Sequence, residues 1–302
     1  MKMPKYEDGG EKESAGLTKP DWLKIRLHRN DTFAEVDRIV RRHSLHTICS
    51  SGMCPNKAEC WSRRTATFMI LGEVCTRNCR FCATRSGRPL PPDPSEPQNV
   101  AQSVALMSLR HAVVTSVTRD DLPDGGAEHW AATVKAVREA NPSATIEILI
   151  PDMDARCELL DIIADAGADI TGHNIETVER LTPAVRSRAG YRKSLATLEY
   201  LSRRGQTTKS GLMVGLGERE EEVLQTLRDL RSAGVSIVTI GQYLQPTAQH
   251  YPVAEYVTPE RFEQYRQAAL AEGFGYCASA PLVRSSYLAE EGLRKVREDR
   301  RQ

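Results

Sequence analysis

Six of the eight cysteines in this 302-residue chain fall between positions 49 and 82. They form two triplets of different spacing, Cys49-x4-Cys54-x5-Cys60 and Cys75-x3-Cys79-x2-Cys82. Thiolates are soft ligands that select zinc, copper(I) or iron–sulfur clusters. Structural zinc usually takes four ligands from paired C-x2-4-C knuckles, often with histidine, and neither triplet has that pairing. Three ligands per triplet fit two cubane clusters, each with one iron left for something else, and an open position marks chemistry rather than scaffolding. The competing reading is a zinc-binding interaction module with spare thiols. A net charge of +1 and 6% aromatic residues argue against a nucleic-acid binder. Cys157 and Cys277 stand apart and read as small buried residues. His43, His46 and His129 lack partners at ligand spacing.

These ligands need elements to position them. Apolar runs rich in Val, Ile and Thr predict strands over 66–71, 112–117, 145–150, 169–172, 211–214 and 236–241. Helical patterns lie at 97–109, 127–140, 154–166, 193–204, 219–233 and 259–272. Six βα repeats demand parallel strands with right-handed crossovers. No GxGxxG follows the first strand, so the expected fold is α/β, a partial (β/α)6 barrel of the TIM type, rather than a dinucleotide-binding fold. Barrel chemistry sits on the loops after the strands. There lie Cys75, Cys79 and Cys82, the Thr118–Asp121 and Gly125-Gly126 loop, His173-Asn174-Ile175-Glu176, Gly215-Leu216-Gly217-Glu218 and Gln242–Pro246. Lys209, Arg119 and Gln245 are further candidates for this mouth.

The expected organisation is a disordered, polar stretch 1–17, an extension 18–64 carrying the first triplet, a barrel 65–273, and a segment 274–302 closing over the mouth. The N-terminus carries acidic residues and lacks an apolar h-region, and no run of 18 apolar residues exists, so no membrane association and a reducing cytoplasm are expected. A monomer is expected.

Cys75-x3-Cys79-x-Phe81-Cys82 resembles the signature of the radical S-adenosylmethionine (SAM) superfamily. Seven longer runs, CSSGMCPNKAECW (49–61), MILGEVCTRNCRFC (69–82), VTRDDLPDGGAEHW (117–130), GHNIETVERL (172–181), KSGLMVGLGE (209–218), GQYLQPT (241–247) and PLVRSSY (281–287), resemble the lipoyl synthase family from about Lys19 to Tyr287. One departure is Ala83-Thr84-Arg85-Ser86-Gly87, where many members read Asp-Val-Ala-His-Gly.

The resemblance implies two [4Fe–4S] clusters. Cys75, Cys79 and Cys82 would hold the one that binds S-adenosylmethionine. Cys49, Cys54 and Cys60 would hold an auxiliary cluster with a serine, Ser285 or Ser286, as fourth ligand. A hard alkoxide is a poor partner for iron in a sulfide cluster, which suggests a ligand designed to leave. Phe81 would line the adenine pocket; Gly125, Gly126, Asn174, Glu176, Gly215 and Gly217 would meet S-adenosylmethionine. The implied reaction inserts two sulfur atoms at C6 and C8 of a protein-bound octanoyl-lysine. It uses 5′-deoxyadenosyl radicals, and the auxiliary cluster donates the sulfur. Implied partners are octanoylated carrier domains (2-oxoacid dehydrogenase E2 or glycine cleavage H protein), an electron donor such as flavodoxin or ferredoxin, and an iron–sulfur cluster carrier. The alternative enzyme is another sulfur inserter with an auxiliary cluster, similar to biotin synthase. The spacer between Cys60 and Cys75 is 14 residues, so the first triplet is expected to fold across the barrel mouth. Arg41-Arg42 and Arg63-Arg64 are candidate docking cations for an acidic carrier, although a solvated face explains them as well.

Overall fold

The computed structural model describes residues 18–24, 30–42, 47–51, 54, 56–62, 65–287 and 289–299. The 1–17 stretch, His43, His46, Arg63 and Arg64 lie outside them. The centre is a seven-stranded, all-parallel sheet in the order β1 (Thr67–Ile70), β4 (His111–Ser116), β5 (Thr145–Leu149), β6 (Ile170–Gly172), β7 (Thr208–Val214), β8 (Ile237–Gln242) and β9 (Tyr276–Ser279). No register joins β1 to β9 among the described residues, so the barrel is open. Its strands are covered on both sides, which is why they read as continuous buried runs rather than alternating ones.

All six expected strand–helix units are present, and helix α5 (Ala127–Ala140) has the expected bounds. Three details differ. Strand β9 is a seventh strand, short and with no β-branched residue. Strand β7 begins at Thr208, because Thr208, Lys209 and Ser210 are polar yet buried inside the barrel. The 154–166 helix is divided into a 3-10 turn, Met153–Ala155, whose three residues all have positive φ, and helix α6 (Cys157–Asp165). Two short strands, β2 (Val74–Cys75) and β3 (Arg85–Ser86), pair in parallel and pin the ends of the loop after β1.

The N-terminal extension contributes α1 (Asp31–Arg42), α2 (Ile48–Ser51) and α3 (Lys57–Ser62). It is tied to the barrel by an antiparallel bridge from Thr47 to Phe68 of β1 and by Val36, Val40 and Trp61 in the core around β1. The C-terminal segment divides. Residues 281–287 follow β9 at the mouth. Helix α11 (Ala289–Asp299), however, packs Leu293 and Val296 on Ile170 and Ile237, the first residues of β6 and β8. It therefore closes the opposite end of the barrel and does not join the cover over the mouth. Arg297 anchors it on Asp169 at 2.6 Å. No described helix is long and apolar enough to cross a membrane.

Candidate active site

The loop after β1 begins with a forced turn. Leu71 has φ +66, a conformation that costs a non-glycine residue energy, and the surroundings hold it there. Its N–H donates to Glu96 Oε2 at 2.7 Å, and its carbonyl accepts from Arg119 at 3.2 Å. His129 sits on the same Glu96 oxygen at 2.7 Å. Gly126 makes room for this turn, since a Cβ there would stand 2.6 Å from Leu71 Cδ1.

Beyond the turn come Cys75, Cys79 and Cys82. Cys75 Sγ accepts backbone N–H groups from Arg77 at 3.4 Å and Thr118 at 3.3 Å, and Cys82 Sγ accepts one from Thr84 at 3.4 Å. The Thr84 donor aimed at Cys82 Sγ favours its thiolate. Burial pushes the Cys82 thiol up, the Thr84 bonds oppose this, and the other two cysteines add repulsion. Metal binding removes such protons and relieves that repulsion. The departing Ala83–Gly87 stretch supplies a local bond of its own, Ser86 Oγ donating to the Arg77 carbonyl at 2.9 Å.

Arg77, within the triplet, fastens the loop to two other strand ends. Its guanidinium makes four bonds of 2.8–2.9 Å, two to Asp120 after β4 and two to Asp152 after β5. Burial works against its charge, but the two carboxylates prevail and raise its pKa.

The first triplet lies at the same mouth. Burial raises the Cys54 thiol, the nearby Cys49 adds to this, and the Asn56 amide and Arg284 oppose it. Cys49 is buried in α2 and Cys60 sits in α3. Asn56 Nδ2 donates to the Leu282 carbonyl at 2.7 Å, and Tyr287 hydroxyl to Glu59 Oε1 at 3.2 Å. The extension is thus latched to the stretch that carries Ser285 and Ser286.

Two cavities of about 440 and 260 Å³ occupy the mouth and share a wall of Ile48, Phe81, Cys82, Thr84, Asn174, Glu176 and Ser285. The smaller holds Cys75, Cys79, Cys82, Ser285 and Ser286 together, reaching down to Glu147. The larger is bounded by Leu212, Met213, Tyr243, Leu244, Gln245 and Val283. Among the described residues no three His, Cys, Asp or Glu side chains are arranged around one metal ion. Thiolates on separate irons of a cubane stand farther apart than ligands sharing one zinc, so the donor set fits clusters better than a zinc site.

Of the other sequence candidates, Phe81, Asn174, Glu176 and Gln245 reach the cavities. Glu176 has φ +68 and pairs with Leu212 as an isolated bridge, and burial raises its carboxyl. Gly125 lines only a third hollow with Arg77 and Asp120. Gly215 and Gly217 line neither cavity. Gly215, at φ +95, instead leaves room for the Gln242 amide 2.1 Å from where its Cβ would lie. Lys209 is not a mouth residue; it is buried in the barrel, 2.8 Å from Glu147. Arg119 is likewise buried beneath the loop, bound to Asp121. Cys277 is buried as expected and its thiol is pushed up to about 12 by burial, whereas Cys157, at the first position of α6, is exposed. His129 does have a partner, Glu96, though not as a metal ligand. Sequence reading missed Arg77, Asp152, Arg186 and Ser194. Only Arg77 carried a signal, its position between cluster cysteines.

The sequence profile of the radical SAM superfamily matches residues 69–230. Among solved structures, methylornithine synthase superposes with a TM-score of 0.53 at 14% identity over 84% of both chains. An [FeFe]-hydrogenase maturase from Carboxydothermus hydrogenoformans does so with 0.54 at 12% identity, over 88% of this chain and 78% of that one. Such low identities speak for the fold alone. Fold, cysteine loop and profile together define a radical SAM enzyme. Curated relatives narrow the class. The lipoyl synthase of Parabacteroides distasonis is 59% identical over 92% of this chain and 99% of its own. That of Chlorobaculum tepidum is 55% identical over 90% and 94%. The chain belongs to the lipoyl synthase family.

Proposed function

We propose that the chain inserts sulfur at C6 and C8 of an octanoyl group held in amide linkage on a carrier lysine, with the residue roles given below. Lipoyl synthases work with two [4Fe–4S] clusters and S-adenosylmethionine. When bound, these supply a 5′-deoxyadenosyl radical for each C–H bond and the sulfur that replaces the hydrogen. Unactivated C–H bonds leave a side-chain acid or base nothing to do, so the protein's work is holding, orienting and excluding water.

Cys75, Cys79 and Cys82 hold the cluster that meets S-adenosylmethionine, with the N–H groups of Arg77 and Thr118 aimed at Cys75 Sγ and that of Thr84 at Cys82 Sγ. Cys49, Cys54 and Cys60 hold the auxiliary cluster, completed by Ser285 or Ser286. Phe81 faces the adenine, and Asn174 and Glu176 supply polar contacts from the shared wall. Gly125, Gly126, Gly215 and Gly217 shape the loops behind that wall. Ile48, Val283 and Tyr243 keep water from the octanoyl chain. The finer partners are an E2 or H-protein carrier domain, flavodoxin or ferredoxin as donor, and an iron–sulfur carrier that rebuilds the consumed cluster, all in the reducing cytoplasm.

The observation that carries this reading is one cavity lined by the second triplet and both serines. The test is anaerobic reconstitution followed by turnover on an octanoyl-lysine peptide. The expected result is about eight irons per chain, two cubanes' worth, and two 5′-deoxyadenosines per lipoyl group. Zinc without iron and acid-labile sulfide, or turnover on a free small molecule only, would refute it.

A further inference from the structure

On the surface just outside the cysteine loop, the fold leaves several charges unanswered. Strand β3, which pairs Ser86 with Cys75, carries Arg85, and Arg88 follows two residues beyond it. Both side chains are exposed, and neither has a hydrogen bond or ion pair among the described residues. Exposed arginines elsewhere are treated differently: Arg180, Arg192 and Arg266 each hold a carboxylate oxygen of their own at 2.7 Å. Arg188, its side chain 68% exposed, has only a shared one, since the Asp120 oxygen 3.3 Å away is already held by Arg77 at 2.9 Å. Arg88 and Arg188 stand on one face. Bonds from Arg119, and at longer range the charge of Arg88, lower the carboxyl of Asp121, the neighbour of Asp120. Arg119 engages both Asp121 oxygens, so that carboxylate is taken as well.

An apolar anchor stands beside these cations. Leu90 is 83% exposed, whereas the other exposed large apolar side chains among the described residues are 38–44% exposed. It lies in Pro89-Leu90-Pro91-Pro92, where prolines fix the backbone and lower the cost of holding a side chain out for contact. Arginines around an apolar centre have the composition of a protein-binding patch, and small patches suffice for short-lived electron-transfer complexes. The patch also lies against the back of the cysteine loop. The Gly87 N–H donates to the Cys75 carbonyl at 2.9 Å, and the exposed Ser187, just before Arg188, has its hydroxyl 3.8 Å from Cys79 Sγ.

We propose that Arg85, Arg88, Arg188 and Leu90 form the docking surface for the electron donor, a flavodoxin-type carrier with an acidic face. The proposal rests on the reading that Cys75, Cys79 and Cys82 hold a cluster that must be reduced. An acidic face answers three arginines that have no carboxylate of their own. Leu90 decides for a flavin carrier over a ferredoxin: a flavin exposes an apolar ring edge, whereas a ferredoxin's cluster is enclosed by cysteines and backbone amides. The step moves one electron at a time. The carrier's reduced flavin is oxidised by one electron, the cluster is reduced by one, and no bond forms or breaks between the two proteins.

The test is anaerobic calorimetric titration of the cluster-loaded protein with flavodoxin, with 5′-deoxyadenosine formation measured alongside. Reduced methyl viologen, a small cation that needs no such surface, is the control donor. The parent should bind flavodoxin, and more weakly as salt rises. Arg85→Glu combined with Arg88→Glu should weaken binding at least about tenfold, and Leu90→Ser about fivefold. Both variants should keep the parent's iron content and its 5′-deoxyadenosine formation with methyl viologen. Flavodoxin binding unchanged in either variant, or equal losses of 5′-deoxyadenosine with both donors, overturns the proposal. So does a parent that binds ferredoxin but not flavodoxin. Should the arginine variant lose iron or fail to fold, Leu90→Ser decides, and parent affinity there overturns the proposal. A parent that forms no 5′-deoxyadenosine even with methyl viologen refutes instead the proposed function.

Discussion

Burial alone would raise the Asp152 carboxyl, yet the bonds and charge of Arg77 bring it down to about 2. Its folded pKa lies below its ordinary 3.8. The contribution to stability, about 2 kcal/mol, is therefore present above pH 4 and is lost as pH falls through 2. His173 acts earlier. Depressed from 6.5 to about 4 by burial, it contributes about 3 kcal/mol that is complete above pH 6.5 and drains away as pH approaches 4. The cluster-free protein should therefore lose about 2 kcal/mol between pH 7 and pH 5, mostly through His173. Urea melts at the two pH values should show this drop in the parent and a much smaller one in His173→Gln; equal drops would exclude His173 as the cause. The cysteines stand out in the sequence by their type and spacing alone. Arg186 and Ser194 do not, because their meaning lies in partners on other elements: a loop carbonyl, a histidine, a cavity wall.

Strands and helices with strong patterns were legible to within a few residues, because burial on both faces of a parallel sheet writes a continuous apolar run. Strand β9 escaped because four residues, Tyr-Cys-Ala-Ser, carry too little pattern. The start of β7 escaped because inward-facing polar residues in the barrel mimic a loop. What no local pattern reveals is how closely strand β8 meets the serine-bearing stretch. A Cβ on Gly241 would stand 2.1 Å from the Val283 carbonyl oxygen, a backbone atom with no rotamer to yield. The Gln242 N–H bond to the Pro281 carbonyl, 3.2 Å, fixes the same approach. Gly241→Ala should therefore push 281–287 off the mouth while the barrel folds. Hydrogen exchange at 281–287 should accelerate by about tenfold or more, with iron content and binding of S-adenosylmethionine retained. Protection at 281–287 equal to the parent's would show that this approach does not hold the stretch.

The whole molecule brings together two chain segments more than 200 residues apart. The extension is built of short helices, the 281–287 stretch has no helix or strand, and both have little core of their own, so each depends on the other and on β1 and β8 for its position. The bridge from Thr47 to Phe68 seats the extension, and Asn56 joins it to Leu282. The Asn56 side chain is buried, so truncation leaves a carbonyl without its donor, at a cost of about 1–3 kcal/mol. That energy should be lost locally, because the seven-stranded sheet owes nothing to the latch. In Asn56→Ala, hydrogen exchange should accelerate together at 48–62 and 281–287, by about tenfold or more, while β4 to β8 keep the parent's protection. Acceleration confined to the N-terminal segment would mean that the serine-bearing stretch is held by β8 alone. Joint acceleration would mean that the two segments open as one unit, so that movement of Ser285 and Ser286 and loosening of the cysteine segment are a single event.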